Sequence, residues 1–172
     1  WGRKSDWIPT FCGTAGSLAV EGMLLAPVGE RGFLYQLTVR STSDKPLSST
    51  FGLEGCWASA WHCVNEDKEI DGARRCYTSL WNDSLIFDMR CGLPLFAFAP
   101  MMDQPCSSTF QETDAGIVYR LAHACTLEPG EAVTVTFYWG VGFEEVAAAT
   151  SAKEMLRQGW QHELQVTTDW LD

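Results

Sequence analysis

The sequence lacks the features that membrane-spanning and nucleic-acid-binding proteins usually carry. No apolar run approaches the ~20 residues that a bilayer-spanning helix requires. The chain has 12 Lys and Arg residues against 22 Asp and Glu residues, a formal net charge of −10, and its basic residues are scattered. Because binding to phosphates requires clustered cations, the composition predicts neither a nucleic acid partner nor a membrane partner.

Motifs for metals and cofactors are also missing. The chain has seven cysteines, and no two of them form a CxxC pair. Gly140-Val-Gly142 lacks the third glycine of a dinucleotide-binding turn. We therefore expect no cofactor and no metal. An odd number of cysteines in a chain rich in apolar residues favours free, buried thiols that act as small hydrophobes, and one or two disulfides plus a free thiol are the alternative.

The N-terminus carries no targeting signal. The chain begins at Trp1 without an initiator Met, and no charged-then-apolar stretch follows. We interpret the chain as a processed or trimmed product. Location in the cytoplasm and secretion with the signal removed therefore both stay open.

The clearest pattern that is present lies near the C-terminus. Residues 133–141 alternate between apolar and small or polar types, which is the period of a half-buried strand. Two glutamates follow, and then apolar residues at helical spacing, which predict a helix over 143–159. A second amphipathic helix is predicted from Trp160 onward, although the run Val166-Thr167-Thr168 disfavours it.

The preceding part of the chain has the pattern of strands separated by turns. Residues 1–16 have no clear period and are predicted to form an extended arm, and residues 100–115 are predicted to be irregular. The fold class is mainly β, an antiparallel β-sandwich of about eight or nine strands followed by one or two C-terminal linker helices. The strands before residue 133 are predicted at 18–25, 33–40, 50–60, 74–81, 85–89, 94–99 and 117–127.

The change from strands to helices also predicts the domain organisation. Residues 1–142 form the antiparallel β-sandwich domain, and residues 143–172 form a helical linker that leads towards a missing helical barrel. The second helix has an apolar face that needs a partner, yet the sequence ends at Asp172. We therefore expect the natural polypeptide to continue.

This C-terminal stretch resembles a known junction. A strand that ends in an apolar-Gly-x-Gly step, an Ala-rich helix and a segment that ends in Trp-Leu resemble the end of the N-terminal β-sandwich in multidomain glycoside hydrolases with an (α/α)6-barrel catalytic domain. Leu127-Glu-Pro-Gly-Glu131 and the stretch 37–46 resemble phrases of the same sandwiches. The resemblance implies that the catalytic carboxylates lie in the barrel, so no residue of this chain is assigned a catalytic role.

The candidate carbohydrate-binding residues lie between positions 54 and 83. Sugar recognition uses flat aromatic faces together with carboxylates and amides that hold the hydroxyl groups. These residue types occur close together here, although the tryptophans are also typical of a packed core. The candidates are Glu54, Trp57, Trp61, Trp81 and Asp83.

Three other kinds of site have less support. Zinc could use Cys56, His62, Cys63 and Cys76, but their spacing matches no compact ligand pattern. A Cys125–His123 nucleophile pair would lie on one apolar strand face, where a hydrogen-bonded core histidine is the more usual arrangement. A glycosidase pair drawn from Glu54, Asp83 and Asp88 competes with the interpretation that these are solvated surface acids.

The sequence therefore predicts a non-catalytic accessory β-sandwich domain of a carbohydrate-active enzyme, a glycoside hydrolase. Its partners would be an oligosaccharide or polysaccharide substrate and a helical catalytic domain of the same or another chain. The domain would brace the barrel and contribute loops to the sugar site. The alternatives are a free-standing carbohydrate-binding module and a non-sugar protein-interaction domain whose C-terminal helices dock on a partner protein.

Overall fold

A computed structural model describes residues 2–4, 7–58, 73–80, 84–90 and 96–171. These residues form eleven strands and two helices. The strands are β1 Gly2–Lys4, β2 Ile8–Ala15, β3 Leu18–Leu25, β4 Gly32–Ser41, β5 Leu47–Ala58, β6 Ala73–Thr78, β7 Leu85–Arg90, β8 Phe96–Met102, β9 Ser107–Thr113, β10 Gly116–Leu127 and β11 Ala132–Gly142, and the helices are α1 Glu145–Gln158 and α2 Trp160–Leu171.

The strands form two antiparallel sheets that face each other. The large sheet has eight strands in the order β1-β2-β3-β4-β11-β8-β7-β6, and the small sheet has three in the order β5-β10-β9. Alternate residues of β4, β11 and β10 point between the sheets, where Val39, Val135, Phe137, Leu121 and Leu127 are buried in one core. The predicted antiparallel β-sandwich is therefore confirmed.

Two predictions about irregular segments were wrong. The supposed extended arm over 1–16 contains β1 and β2, and the supposed irregular stretch over 100–115 contains β9 and the end of β8. Every residue of β9 is exposed, and so is most of β2. A strand with solvent near both faces has no reason to alternate between apolar and polar residues, so the sequence pattern missed it.

The two helices form a third layer on the outer face of the large sheet. Helix α1 covers β11 and β8, where Ala148, Ala149 and Ala152 pack against Ala97 and Ala99. A second apolar cluster joins the helices to the other half of the sheet through Tyr138, Met155 and Leu164, together with Ile8, Met23, Leu25 and Leu34.

Gly159 connects the helices and confirms the predicted end of α1. It has a φ of 84° and donates its N–H to the carbonyl of Met155 at 2.9 Å, a left-handed conformation that glycine adopts without strain. The second helix is confirmed despite its β-branched run. Thr167 accepts a hydrogen bond from the N–H of Val28 at 3.2 Å, and Thr168 donates to the carbonyl of Leu164 at 2.9 Å.

Glycines of β11 permit the close approach of α1. A Cβ on Gly140 would collide with the carbonyl oxygen of Ala148 and lie 2.6 Å from the N atom of Ala152. A Cβ on Gly142 would lie 2.6 Å from the N atom of Ala148. Because these neighbours are helix backbone, they cannot rotate away, and the Gly-x-Gly step is required for helix-to-sheet contact at this distance.

The division into residues 1–142 and 143–172 stays a prediction. In the described residues, the helices pack on the sandwich through the two clusters above. None of the described helices combines the length and apolar character needed to cross a lipid bilayer.

Glu163 is an unusual residue of this helical layer. It is 3% exposed, and its Oε1 atom has no hydrogen-bond partner among the described residues. Burial raises the pKa of its carboxyl group, the negative charges of Glu30 and Glu154 raise the pKa further, and His162 acts in the opposite direction. Folding therefore makes the neutral form of Glu163 more favourable than it is in the unfolded chain.

We expect Gly140→Ala to lower the free energy of unfolding by about 1–3 kcal/mol, the usual cost of overpacking. Urea titration of both proteins measures the change. Gly13→Ala is the matched control, because Gly13 lies in β2 with no atom within 4 Å of the added Cβ, and we expect it to be nearly neutral. Equal unfolding midpoints for the two variants would contradict this explanation of the Gly-x-Gly step.

We expect Glu163→Gln to stabilise the protein at neutral pH. When folding raises the pKa of a carboxyl group, the group does not lower the free energy of unfolding at pH values below its unfolded pKa. The free energy of unfolding falls as the pH rises through the folded pKa. Thermal unfolding between about pH 4 and about pH 8 should show this loss in the parent protein and a smaller loss in the variant. If the two proteins lose stability in parallel over this range, Glu163 is not the group responsible.

Candidate functional site: an aromatic cavity between the sheets

One end of the sandwich interior holds a cavity of about 320 Å³, which we call the aromatic cavity. Both sheets contribute to its walls. Apart from Cys56, its lining consists of aromatic side chains from β4, β5, β7, β8, β10 and β11, namely Phe33, Trp57, Phe87, Phe98, Tyr119 and Trp139.

Ring contacts run from Trp57 through the rest of this lining. The ring of Trp57 lies 5.4 Å from that of Phe87 and 5.6 Å from that of Phe98, measured between centroids. Phe87 contacts Tyr119 at 4.6 Å, and Tyr119 contacts Trp139 at 5.9 Å. Tilted and edge-to-face pairs of this kind each contribute about 0.5–1.5 kcal/mol beyond area burial.

Gly55 makes the position of Tyr119 possible. The two residues are Cα partners across β5 and β10, and a Cβ on Gly55 would press on the phenol ring of Tyr119. Burial, followed by the nearby Cys56 and Cys76, raises the pKa of Tyr119 to about 12. The phenol is therefore neutral at physiological pH and contributes its ring and its hydroxyl dipole to the cavity.

Two of the five predicted carbohydrate-binding residues lie among the described residues. Trp57 is half-buried and packs against the core between the sheets. Glu54 is exposed, and its odd spacing from Trp57 places it on the opposite face of β5. The structure therefore does not bring Glu54 and Trp57 together, while Trp61, Trp81 and Asp83 lie outside the described residues. Sugar contact by any of the five stays a prediction.

Asp88 and Glu54 do not form a glycosidase pair, and Asp83 lies outside the described residues. Asp88 is 4% exposed and lies 3.9 Å from the guanidinium of Arg75. Its neighbour Phe87 points into the core, so Asp88 points to the outer face of the large sheet. Glu54 points to the outer face of the small sheet. Two carboxyl groups on opposite outer surfaces of a sandwich cannot flank one glycosidic bond.

The proposed Cys125–His123 nucleophile pair lies on β10. The Nδ1 atom of His123 donates to the carbonyl of Pro105 at 2.8 Å, so this ring nitrogen has a hydrogen-bond partner, although His123 is only half-buried. Burial raises the pKa of the Cys125 thiol, with a further contribution from Glu131. A raised pKa disfavours the nucleophilic thiolate, which counts against a Cys125–His123 nucleophile pair.

The cysteine prediction is half right. Cys12, Cys56, Cys76, Cys106 and Cys125 are free, as predicted. The prediction that they are buried was wrong for the exposed Cys12, Cys56 and Cys106, because they lie on outward-facing or edge positions. Cys63 and Cys91 lie outside the described residues.

No metal site forms within the described ranges, where no three His, Cys, Asp or Glu residues cluster. Cys76 is buried between the sheets, and burial followed by the charge of Glu112 raises its pKa to about 12. Because zinc binds the thiolate, this environment opposes metal binding by Cys76. The proposed ligands His62 and Cys63 lie outside the described residues.

The sequence reasoning missed most of the cavity. Phe33, Phe98, Tyr119 and Trp139 were each placed in a predicted strand, but alternation shows only which residues share a face of one strand. The order of strands in the two sheets is what brings the four rings to Trp57. No short-range sequence signal contains that order.

No protein-family model and no curated protein matches the chain at a significant level. Among solved structures, the chain is similar to a putative kojibiose phosphorylase from the human microbiome, with a TM-score of 0.66 and 12% sequence identity. The match covers 95% of this chain and 22% of that chain. A putative aldose 1-epimerase from Escherichia coli K12 matches with a TM-score of 0.42 and 10% identity over 78% of this chain and 64% of that one, which is too weak to define a fold relationship.

The first match establishes the fold. The match covers nearly the whole chain but less than a quarter of the phosphorylase chain. This is the fold expected from the sequence resemblance, a β-sandwich followed by helices. The resemblance is thereby confirmed at the level of the fold.

Proposed function

We propose that the chain is a non-catalytic accessory β-sandwich domain of a carbohydrate-active enzyme, and that it braces a helical catalytic domain of the same or another chain. The observation that carries the proposal is the superposition of 95% of this chain on 22% of a protein named as a kojibiose phosphorylase.

A surface suited to such bracing lies at one end of the helical layer. Trp7 is 74% exposed, Trp170 is 69% exposed and Leu24 is 41% exposed. These three residues line one cavity of about 400 Å³ together with Val28 and Leu171. We call this group the apolar end surface. Large exposed aromatic residues around a cavity are typical of protein interfaces, where tryptophan often dominates the binding energy.

The backbone around this surface is held in place. The N–H of Val28, in the β3–β4 turn, donates to the hydroxyl of Thr167 in α2 at 3.2 Å. The carbonyl of Arg31, in the same turn, accepts from the N–H of Val141 and from the hydroxyl of Ser151, both at 2.9 Å. The turn is thus tied to both helices and to β11, and a preorganised surface loses less entropy on binding.

Two further exposed apolar residues lie near the start of α1. Phe143 is 62% exposed and stacks under the guanidinium of Arg31, which lies 5.7 Å from the ring centroid. Val146, in the first turn of α1, is 56% exposed. Phe143 and Val146 therefore add exposed apolar surface near the start of α1.

Hydroxyl-radical footprinting tests the proposal by comparing the 172-residue chain with the natural protein that contains it. We expect oxidation of Trp7 and Trp170 to be several-fold slower in the natural protein, because the catalytic domain covers both indoles. Leu80, which is 103% exposed on the β6–β7 turn, is the internal control and should react equally in both samples. Equal oxidation of Trp7 and Trp170 in both samples would rule out bracing by the apolar end surface.

A further inference from the structure

A groove of about 510 Å³ crosses the outer face of the large sheet, away from the aromatic cavity. Strands β2, β3 and β4 form its floor, β1 contributes Gly2 at one side, and α2 contributes Trp160 and Leu164 at the other. We call it the outer groove. Its volume lies within the range of about 300–1,000 Å³ that small-molecule sites occupy.

The floor of the outer groove is polar because strand register aligns polar residues from neighbouring strands. Glu21 and Thr38 are Cα partners across β3 and β4, and Gln36 lies two residues before Thr38 on the same face of β4. Thr10 of β2 is the Cα partner of Met23 of β3, and Met23 is the Cα partner of Gln36 of β4. A carboxylate, an amide and two hydroxyl groups therefore share one surface.

Hydrogen bonds fix part of this floor. The side-chain amide of Gln36 donates to the hydroxyl of Thr38 at 2.7 Å, and that hydroxyl lies 2.9 Å from the hydroxyl of Thr134. Gln36 is 8% exposed, so its amide is held by the surrounding strands. A glutamine amide carries two N–H donors and an acceptor oxygen, and the bond to Thr38 uses one donor.

One side of the outer groove carries an aromatic ring, and the other side leaves a hydroxyl group accessible. Trp160 is half-buried against the apolar cluster under α2 and also lines the groove. On the other side, a Cβ on Gly2 would lie 2.9 Å from the hydroxyl oxygen of Thr10. The absence of a side chain at position 2 therefore leaves the Thr10 hydroxyl uncovered by its cross-strand partner.

We propose that the outer groove binds a neutral saccharide of about disaccharide size. An aromatic wall suits the C–H face of a pyranose, and the carboxylate, amide and hydroxyl groups of the floor suit its hydroxyls. No described lining residue is basic, and Glu21 repels anions, so a phosphorylated or acidic ligand does not fit. Saccharide binding here goes beyond the bracing role and involves none of Trp7, Leu24, Phe143, Val146 and Trp170.

Nuclear magnetic resonance tests the proposal on the ¹⁵N-labelled chain. The probes are neutral glucose disaccharides of α and β linkage, each titrated through the millimolar range. We expect at least one of them to shift the backbone amides of Thr10, Glu21, Gln36 and Thr38. Glu21→Ala should weaken that binding by about tenfold, since it removes a charged hydrogen-bond acceptor.

Glu112→Ala is the matched control, because Glu112 is an exposed strand glutamate of β9 on the opposite sheet, and it should leave the affinity unchanged. Trp160→Leu, checked for an unchanged amide spectrum elsewhere, should also weaken binding. Absence of shifts with every disaccharide would overturn the proposal, as would shifts centred on Trp57 or an equal effect of both glutamate variants. Equal oxidation of Trp7 and Trp170 in the two footprinting samples would not affect saccharide binding in the outer groove. The two proposals therefore fail independently.

Discussion

The structure depends on the close contact between helix α1 and strand β11. The backbone of Ala148 and Ala152 lies where side chains at positions 140 and 142 would otherwise stand. This contact converts a two-layer sandwich into three layers. Once α1 is fixed, the left-handed Gly159 turns the chain directly into α2, and the position of α2 over β3 and β4 follows from the path of α1.

Both proposed functional surfaces are consequences of that position. The first turns of α2 bring Trp160 and Leu164 to the outer groove, and its last turn brings Trp170 and Leu171 to the apolar end surface. One helix therefore connects a polar, sugar-compatible groove with an apolar, protein-compatible surface. Between the sheets, aromatic rings line the aromatic cavity, and burial raises the pKa values of Cys76 and Tyr119 to about 12.

Burial explains which strands and helices could be predicted from the sequence. Strands β4, β10 and β11 have one face in the core, so their residues alternate and their positions were predicted, as were both helices. Strands β2 and β9 were not predicted, because a strand that is exposed to solvent on both faces does not need alternating apolar and polar residues. Trp57 was singled out as an aromatic residue, but its packing partners Phe87 and Phe98 depend on strand order. The outer groove is lined by residues between positions 10 and 38 and by residues between 160 and 164. These residues come together only through the register of β2–β4 and the position of α2.

The claim that this chain works as an accessory domain of a larger carbohydrate enzyme is tested most directly by the mass of the natural protein under native conditions, read beside its coding sequence. We predict a polypeptide much longer than 172 residues, or a stable complex in which a helical catalytic subunit accompanies this chain. A natural protein that ends at Asp172 and runs as a lone monomer would contradict the claim.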